Sequence, residues 1–195
     1  IGSRKMNEPV HTFRLATPDD AEALLKSTAL YCHHGHQRDP GAALGEFRQR
    51  IVDRDGAYPY IVCEEDGRPV GYAYGSRLFS RAAYAWSAEL SVYFSTDHRG
   101  RGLGHAIYGK LFDLLALQGV RTVVGKVVCP NEKSDHLHEK MGFELVGTLR
   151  AASWKLERGT RAPVEKHIGD VEAEPAPLLR LSEVDPEKVR AILEA

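Results

Sequence analysis

Apolar positions along the chain follow two periods, and the switches between them mark its elements. "HTFRLA", His11 to Ala16, predicts a short strand. "TPDDAEALLKSTALY" predicts a helix with Thr17 as N-cap and Pro18 at the first helical position, where a missing N–H leaves no bond unmade. After a loop at "CHHGHQRDPGAA", Leu44, Phe47 and Ile51 recur at helical spacing in "LGEFRQRIVDRD". Two apolar runs flank "EEDGRP" in "YPYIVCEEDGRPVGYAYGSRL", which is a hairpin signal, and a third long strand follows at "AYAWSAELSVYF". The next helix starts among glycines, runs to Gln118 and stops at Gly119. "RTVVGKVVC" then reads as a buried strand, "NEKSDHLHEKM" as a helix and "FELVGTLRAASWKL" as a strand.

This order of elements predicts an α+β fold rather than a doubly wound sheet. The 195 residues suit one domain with a substantial core, at 10–170. Beyond it, at 171–195, an acidic, proline-bearing linker precedes a short helical appendage in "SEVDPEKVRAILEA", whose Ile192 and Leu193 need an apolar cover.

Charge narrows the choice of partners. Lys+Arg total 26 against 27 for Asp+Glu, so no global basic field is present for nucleic acid or an anionic membrane. No uninterrupted apolar segment is long enough to cross a bilayer, and "IGSRKMNEP" lacks a signal peptide's apolar core. Cys32, Cys63 and Cys129 are few, odd in number and widely spaced, giving neither a disulfide framework nor a CxxC pair; a reducing cytoplasm is the expected setting. The histidines of "CHHGHQ" are spaced too locally for a closed tetrahedral site, so no metal is expected and the loop is read as lining a substrate mouth.

The densest chemical signal is "HRGRGLGHAIYGKL", where Gly100, Gly102 and Gly104 alternate with Arg99, Arg101 and Leu103 before an apolar helix. It reads as a tight turn, as a basic patch, or as an anion cradle in which the N–H groups of a helix's first turn face a phosphate. The near-neutral charge disfavours the patch. The glycines follow the fourth predicted strand and lack a Lys-Ser/Thr ending, so neither a dinucleotide fingerprint nor a Walker loop is present.

"RGRGLG" has the R/Q-x-x-G-x-G/A form of the GNAT acetyltransferase superfamily. Together with "AYAWSAELSVYF", "CPNEKSDHLHEKMGF" and "GTLRAASWK", in that order and spacing, it resembles the phosphinothricin and methionine-sulfone acetyltransferases within that superfamily. The resemblance covers Phe13 to Lys155 and departs at "CHHGHQ" and after Lys155. It implies a mixed, mostly antiparallel sheet flanked by helices, and acetyl-CoA as cosubstrate. It also implies a small amino-acid-like amine as acceptor and a homodimer. A polyamine, aminoglycoside or protein N-terminus is the alternative acceptor, and a CoA-binding module without turnover the alternative class.

Site residues follow from that resemblance. The pyrophosphate is expected at Arg99, Gly100, Arg101, Gly102, Leu103 and Gly104, where glycine lets an anion reach the backbone; Arg101 reads equally well as a solvated side chain. The pantetheine arm is expected along Val92, Tyr93 and Phe94, pairing with backbone groups while the Tyr93 side chain points away. Asn131 is a cofactor contact or an ordinary N-cap. In "SAELSVYF" Glu89 lies opposite the apolar face of Ala88, Leu90, Val92 and Phe94, and matches the family's catalytic glutamate, a general base. His138 matches the position of a second proton-transfer group, relaying the amine proton or protonating the thiolate. Arg81, a partner for a substrate carboxylate, and Tyr84 belong to the amine pocket; Trp86 reads as pocket or core, and Cys129 as a buried small residue. Backbone N–H groups near Leu90 to Val92 are the expected oxyanion donors.

Overall fold

The computed structural model describes residues 10–32, 40–53, 56–128, 130–155, 158–168 and 177–195. Strand β1 (His11–Leu15) leads through a single 3-10 turn, Pro18–Asp20, into α1 (Ala21–Cys32). Thr17 is the N-cap of that turn and Pro18 its first residue, as expected, and the Asp20 carboxylate closes the cap, accepting from Thr17 N and Oγ1 at 2.7 and 3.1 Å and from Arg14 Nη1 at 2.8 Å. Then come α2 (Pro40–Val52), β2 (Tyr60–Glu65), β3 (Arg68–Arg77), β4 (Ser87–Phe94) and α3 (Leu103–Leu117). After them lie β5 (Thr122–Val128), α4 (Glu132–Lys140), β6 (Glu144–Leu145), β7 (Leu149–Lys155), β8 (Arg158–His167) and α5 (Pro186–Glu194).

The strands form one mixed sheet in the order β1-β2-β3-β4-β5-β8-β6, with β7 following β6 along the same edge of β8. Every pairing is antiparallel except β4 with β5. The β2–β3 hairpin turns at Asp66 and Gly67, with φ of 50° and 76°, the left-handed pair that a two-residue turn of this hand requires. The strands differ from the sequence reading at three places, and α2 begins at Pro40, inside the expected loop. The strand expected from Ala83 starts at Ser87, because Ala82–Tyr84 forms a 3-10 turn. The expected "FELVGTLRAASWKL" strand breaks at Val146–Thr148 into β6 and β7. β8 was not foreseen: its charges and Pro163 resemble a loop, yet it pairs with the whole free edge of β5.

Two apolar layers cover the sheet. On one face α3 buries Ile107, Tyr108, Leu111, Leu114 and Leu115 against Ile61, Ala73, Ala88, Leu90 and Val123. On the other, Phe47 and Ile51 of α2 and Leu24 of α1 meet a tier of aromatic rings, Tyr60, Tyr72 and Tyr74. The tail joins the first layer. Leu181, Val184 and Val189 are buried in it, Ile192 and Leu193 pack against it, and Lys110 Nζ donates to Ile192 O at 2.9 Å. Buried Gln118 ties the tail down, its Nε2 donating to Ala57 O and Leu179 O at 2.7 and 2.9 Å. Gly71 is small for a packing reason, since a Cβ there would overlap the Phe94 ring. Gly71→Ala is therefore expected to lower unfolding free energy by about 1–3 kcal/mol, measured by urea denaturation.

Candidate active site

β4 and β5 pair only from Ser87↔Thr122 to Leu90↔Gly125, although both strands run on. Past that rung Ser91–Phe94 ladders with β3, and Lys126–Val128 with β8. The centre of the sheet is thus the place where two neighbouring strands stop pairing with each other, at Leu90 and Gly125.

Side-chain parity assigns residues to the two sides of this break. Ala88, Leu90, Val92 and Phe94 face α3, as the alternation predicts. Glu89, Ser91 and Tyr93 face the other way, where the Tyr93 ring joins Tyr72 at 5.1 Å in the aromatic tier. Glu89 lies opposite Ser76 on β3 and Val124 on β5, next to the last paired rung. Its Oε2 accepts from Lys126 Nζ at 2.6 Å, and both side chains are about a quarter exposed. Lys126 is the site residue that sequence reasoning missed; the available signal was one cation inside an otherwise apolar strand, "TVVGKVV".

The glycine run forms the entrance to α3. Gly100 and Gly102 have φ of 74° and 81°, a region other residues resist, and open space surrounds the position a Cβ would take on each. Gly104 is small for packing, since its Cβ would come 3.1 Å from Leu137 Cδ2 of α4. Gly102 is the N-cap, and its carbonyl accepts from Ala106 N at 3.1 Å. The buried Leu103 side chain anchors the first turn in the core. The N–H groups that open α3 thus sit behind a bare, left-handed backbone that an anion can approach closely.

The flanking arginines hold the loop. Arg99 Nε donates to Phe94 O at 3.3 Å and its Nη2 to Thr96 Oγ1 at 3.3 Å, folding the loop back onto β4. Arg101 Nη2 pairs with Glu65 Oε1 at 2.8 Å. Glu65, at the end of β2, also accepts from His98 Nε2 at 2.8 Å and His11 Nε2 at 3.0 Å. The His98 hydrogen bond, with Arg101 beside it, holds this carboxyl below its ordinary range against the opposing effect of burial. One carboxylate thereby fastens β1, the β4–α3 loop and the glycine run together.

His138 lies on the α3 and α4 side of the sheet, so the structure brings Glu89 to Lys126 and not to His138. Its Nδ1–H donates to Ser134 O at 2.7 Å and its Nε2 faces Tyr108 Oη at 3.4 Å. The Tyr108 and Phe143 rings pack against it at 5.7 and 4.9 Å, and Phe112 packs on both of them. Burial lowers its pKa, only partly offset by the Ser134 carbonyl and Asp135. The sign follows: below about pH 6.5 the unfolded ring binds a proton that the folded ring refuses, so stability falls with falling pH. Urea unfolding is expected to lose up to about 1.4 kcal/mol per pH unit in that window through this group. His138→Gln should flatten the slope, and an unchanged slope assigns it elsewhere.

Asn131 caps α4, its side chain accepting from Ser134 N at 3.3 Å. Arg81 and Tyr84 are exposed on the β3–β4 connection, beyond the Arg77↔Ala88 end of the hairpin, and the Tyr84 and Phe79 rings meet at 4.7 Å. The loop at 33–37 and Cys129 lie outside the described residues. Among the described residues no helix is long and apolar enough to cross a membrane.

The model of the acetyltransferase (GNAT) family matches residues 21–143. A phosphinothricin N-acetyltransferase of Streptomyces viridochromogenes is 40% identical over 107 residues, 55% of this chain and 57% of that protein. The match thus spans less than two thirds of that relative's length. The phosphinothricin N-acetyltransferase of Alcaligenes faecalis is 32% identical over 156 residues, 75% of this chain and 77% of its own. A crystal structure of a GNAT superfamily phosphinothricin acetyltransferase from Sinorhizobium meliloti in complex with acetyl-CoA superposes with a TM-score of 0.76 at 26% identity, covering 89% of this chain and 97% of that one.

Proposed function

Because the chain belongs to the GNAT acetyltransferase family, we propose that it is an acetyl-CoA-dependent N-acetyltransferase for the primary amine of a small amino-acid-like compound. The observation that carries this reading is the end of β4–β5 pairing at Leu90 and Gly125, with a carboxylate, Glu89, on the adjoining rung. Bare, left-handed glycines at the N-terminus of α3 fit a pyrophosphate, since a Cβ on Gly100 or Gly102 would stand in open space that an anion can use. The stretch of β4 from Ser91 to Phe94, past its last rung with β5, fits the amide-bearing arm of coenzyme A.

Acetyl-CoA, when bound, supplies the electrophilic thioester carbonyl. The chain's own residues do the rest. Arg99, Arg101 and the first N–H groups of α3 bind negative charge, and Glu65 keeps Arg101 and His98 in place. Backbone N–H groups at Leu90 to Val92 donate to the developing oxyanion. Glu89 Oε accepts the proton of the amine, directly or through a water, as the amine attacks the thioester carbonyl. His138 and the Tyr108 hydroxyl, on the opposite side of the sheet from Glu89, hold the protons nearest the leaving side. Arg81 and Tyr84 frame the outer rim of the amine pocket, where the names of the relatives point to an amino-acid-like acceptor.

The test is a coenzyme A release screen over free amino acids, methionine sulfone, phosphinothricin, polyamines and peptides, with the acetylated product identified by mass spectrometry. Turnover on α-amino compounds is expected. Turnover on polyamines or peptides alone overturns the acceptor class and keeps the transferase; acetyl-CoA binding without turnover on any amine overturns both.

A further inference from the structure

We propose that Lys126 is a specificity-determining residue that receives the α-carboxylate of the acceptor, so that the Glu89–Lys126 pair recognises a zwitterion as a unit. The inference rests on the acetyltransferase reading and names the feature that selects its substrate.

Lys126 occupies the first position of β5 after pairing with β4 ends. By strand parity it shares a face with Val124 and Glu89, while Val123 and Val127 point into the α3 core. The residues holding β5 in the core therefore do not include it. Its ammonium reaches across the break to Glu89 Oε2 at 2.6 Å. Both groups keep about a quarter of their surface, so water, and a small solute, still reach the pair. Partly exposed ion pairs contribute little to stability, and a lysine in an apolar strand has no packing advantage over valine. Its distinctive property is a fixed positive charge beside the carboxylate proposed as the base.

That charge sorts amines. An α-amino acid carries an ammonium and a carboxylate one carbon apart. Entering this face, it exchanges one protein ion pair for two, ammonium to Glu89 and carboxylate to Lys126, with no net charge added. A simple amine brings a second cation towards Lys126 and no carboxylate of its own to meet it, and a polyamine brings several cations. Ser76 and Ser91, on the same face, add hydroxyls without charge, and Glu165 stands opposite Val124 on β8. Arg81, on the exposed β3–β4 connection, is left for the far end of the acceptor.

The experiment compares wild type with Lys126→Met, which keeps an unbranched stem of similar length, on methionine sulfone and on the same amine lacking its carboxylate. The expected result is a KM for methionine sulfone raised about 10- to 100-fold, the loss of one charge-assisted pair, and a KM for the decarboxylated amine that falls. Lys126→Arg should restore most of the preference. Calorimetric binding of methionine sulfone to wild type and Lys126→Met reads the same discrimination without turnover, and circular dichroism verifies folding. Equal changes on the two amines, or Lys126→Arg behaving as Lys126→Met, overturn the assignment while leaving the acetyltransferase standing. A wild-type enzyme that turns over amines but no α-amino acid overturns both this inference and the acceptor class.

Discussion

Glu89→Gln is expected to lower kcat by about 10²- to 10⁴-fold near neutral pH, the range that a positioned general base contributes. The amide keeps the length and shape of the carboxylate, so what is lost is a proton acceptor and an anion. Acetyl-CoA affinity, measured by calorimetry, stays close to wild type, because Glu89 lies on the face away from α3 and its glycine entrance. The loss shrinks as pH rises, since the free amine then carries less of its proton into the site and asks less of the base. Lys126 complicates the simple reading of such a variant, because its ammonium loses its carboxylate partner at 2.6 Å. The double variant Glu89→Gln with Lys126→Met separates the effects: a base requirement survives the second substitution, whereas inhibition by an unbalanced ammonium is relieved by it. A kcat/KM profile that matches wild type at all pH values removes Glu89 from the chemistry.

Much of this site is written in local sequence, and the parts that are not have a common cause. Period-two alternation in "SAELSVYF" is a property of one strand, and it put Glu89 on the face opposite Ala88 and Leu90 without reference to anything else. The glycine run likewise carries its own backbone requirement, and Gly100 and Gly102 adopt it. Which faces of different elements coincide is set by packing. Glu89 and His138 look like a couple in sequence, yet one belongs to the α1 and α2 side of the sheet and the other sits in the aromatic box of Tyr108 and Phe143. Arg101 meets Glu65, a residue on a strand two hairpin legs earlier, and nothing near "RGRGLG" announces that partner. Lys126 is hidden for the opposite reason: the apolar residues around it mark a buried strand so strongly that a single charge does not alter the pattern. β8 escaped because its pairing is dictated by the open edge of β5 rather than by its own polar, proline-bearing composition.

Gly102→Val is expected to raise the dissociation constant for acetyl-CoA about tenfold or more, through the backbone as well as the added bulk. At φ of 81° Gly102 occupies the left-handed region, which costs an ordinary residue about 1–2 kcal/mol and a β-branched one more. Relief of that strain means rotating the N-cap, and with it the first free N–H groups of α3, away from the direction in which they face an anion. A loss of about 1.4 kcal/mol in binding is already a factor of ten. The two contributions can be told apart because a Cβ on Gly102 would meet no heavy atom within 4 Å apart from its chain neighbours. Asparagine tolerates left-handed backbone far better than valine. If backbone direction governs, Gly102→Asn binds acetyl-CoA much more tightly than Gly102→Val. If exclusion of the pyrophosphate governs, the two variants lose affinity together. Calorimetry on folded protein decides between them, and a Gly102→Val variant with wild-type affinity reduces the glycine run to a tight turn with no part in cofactor binding.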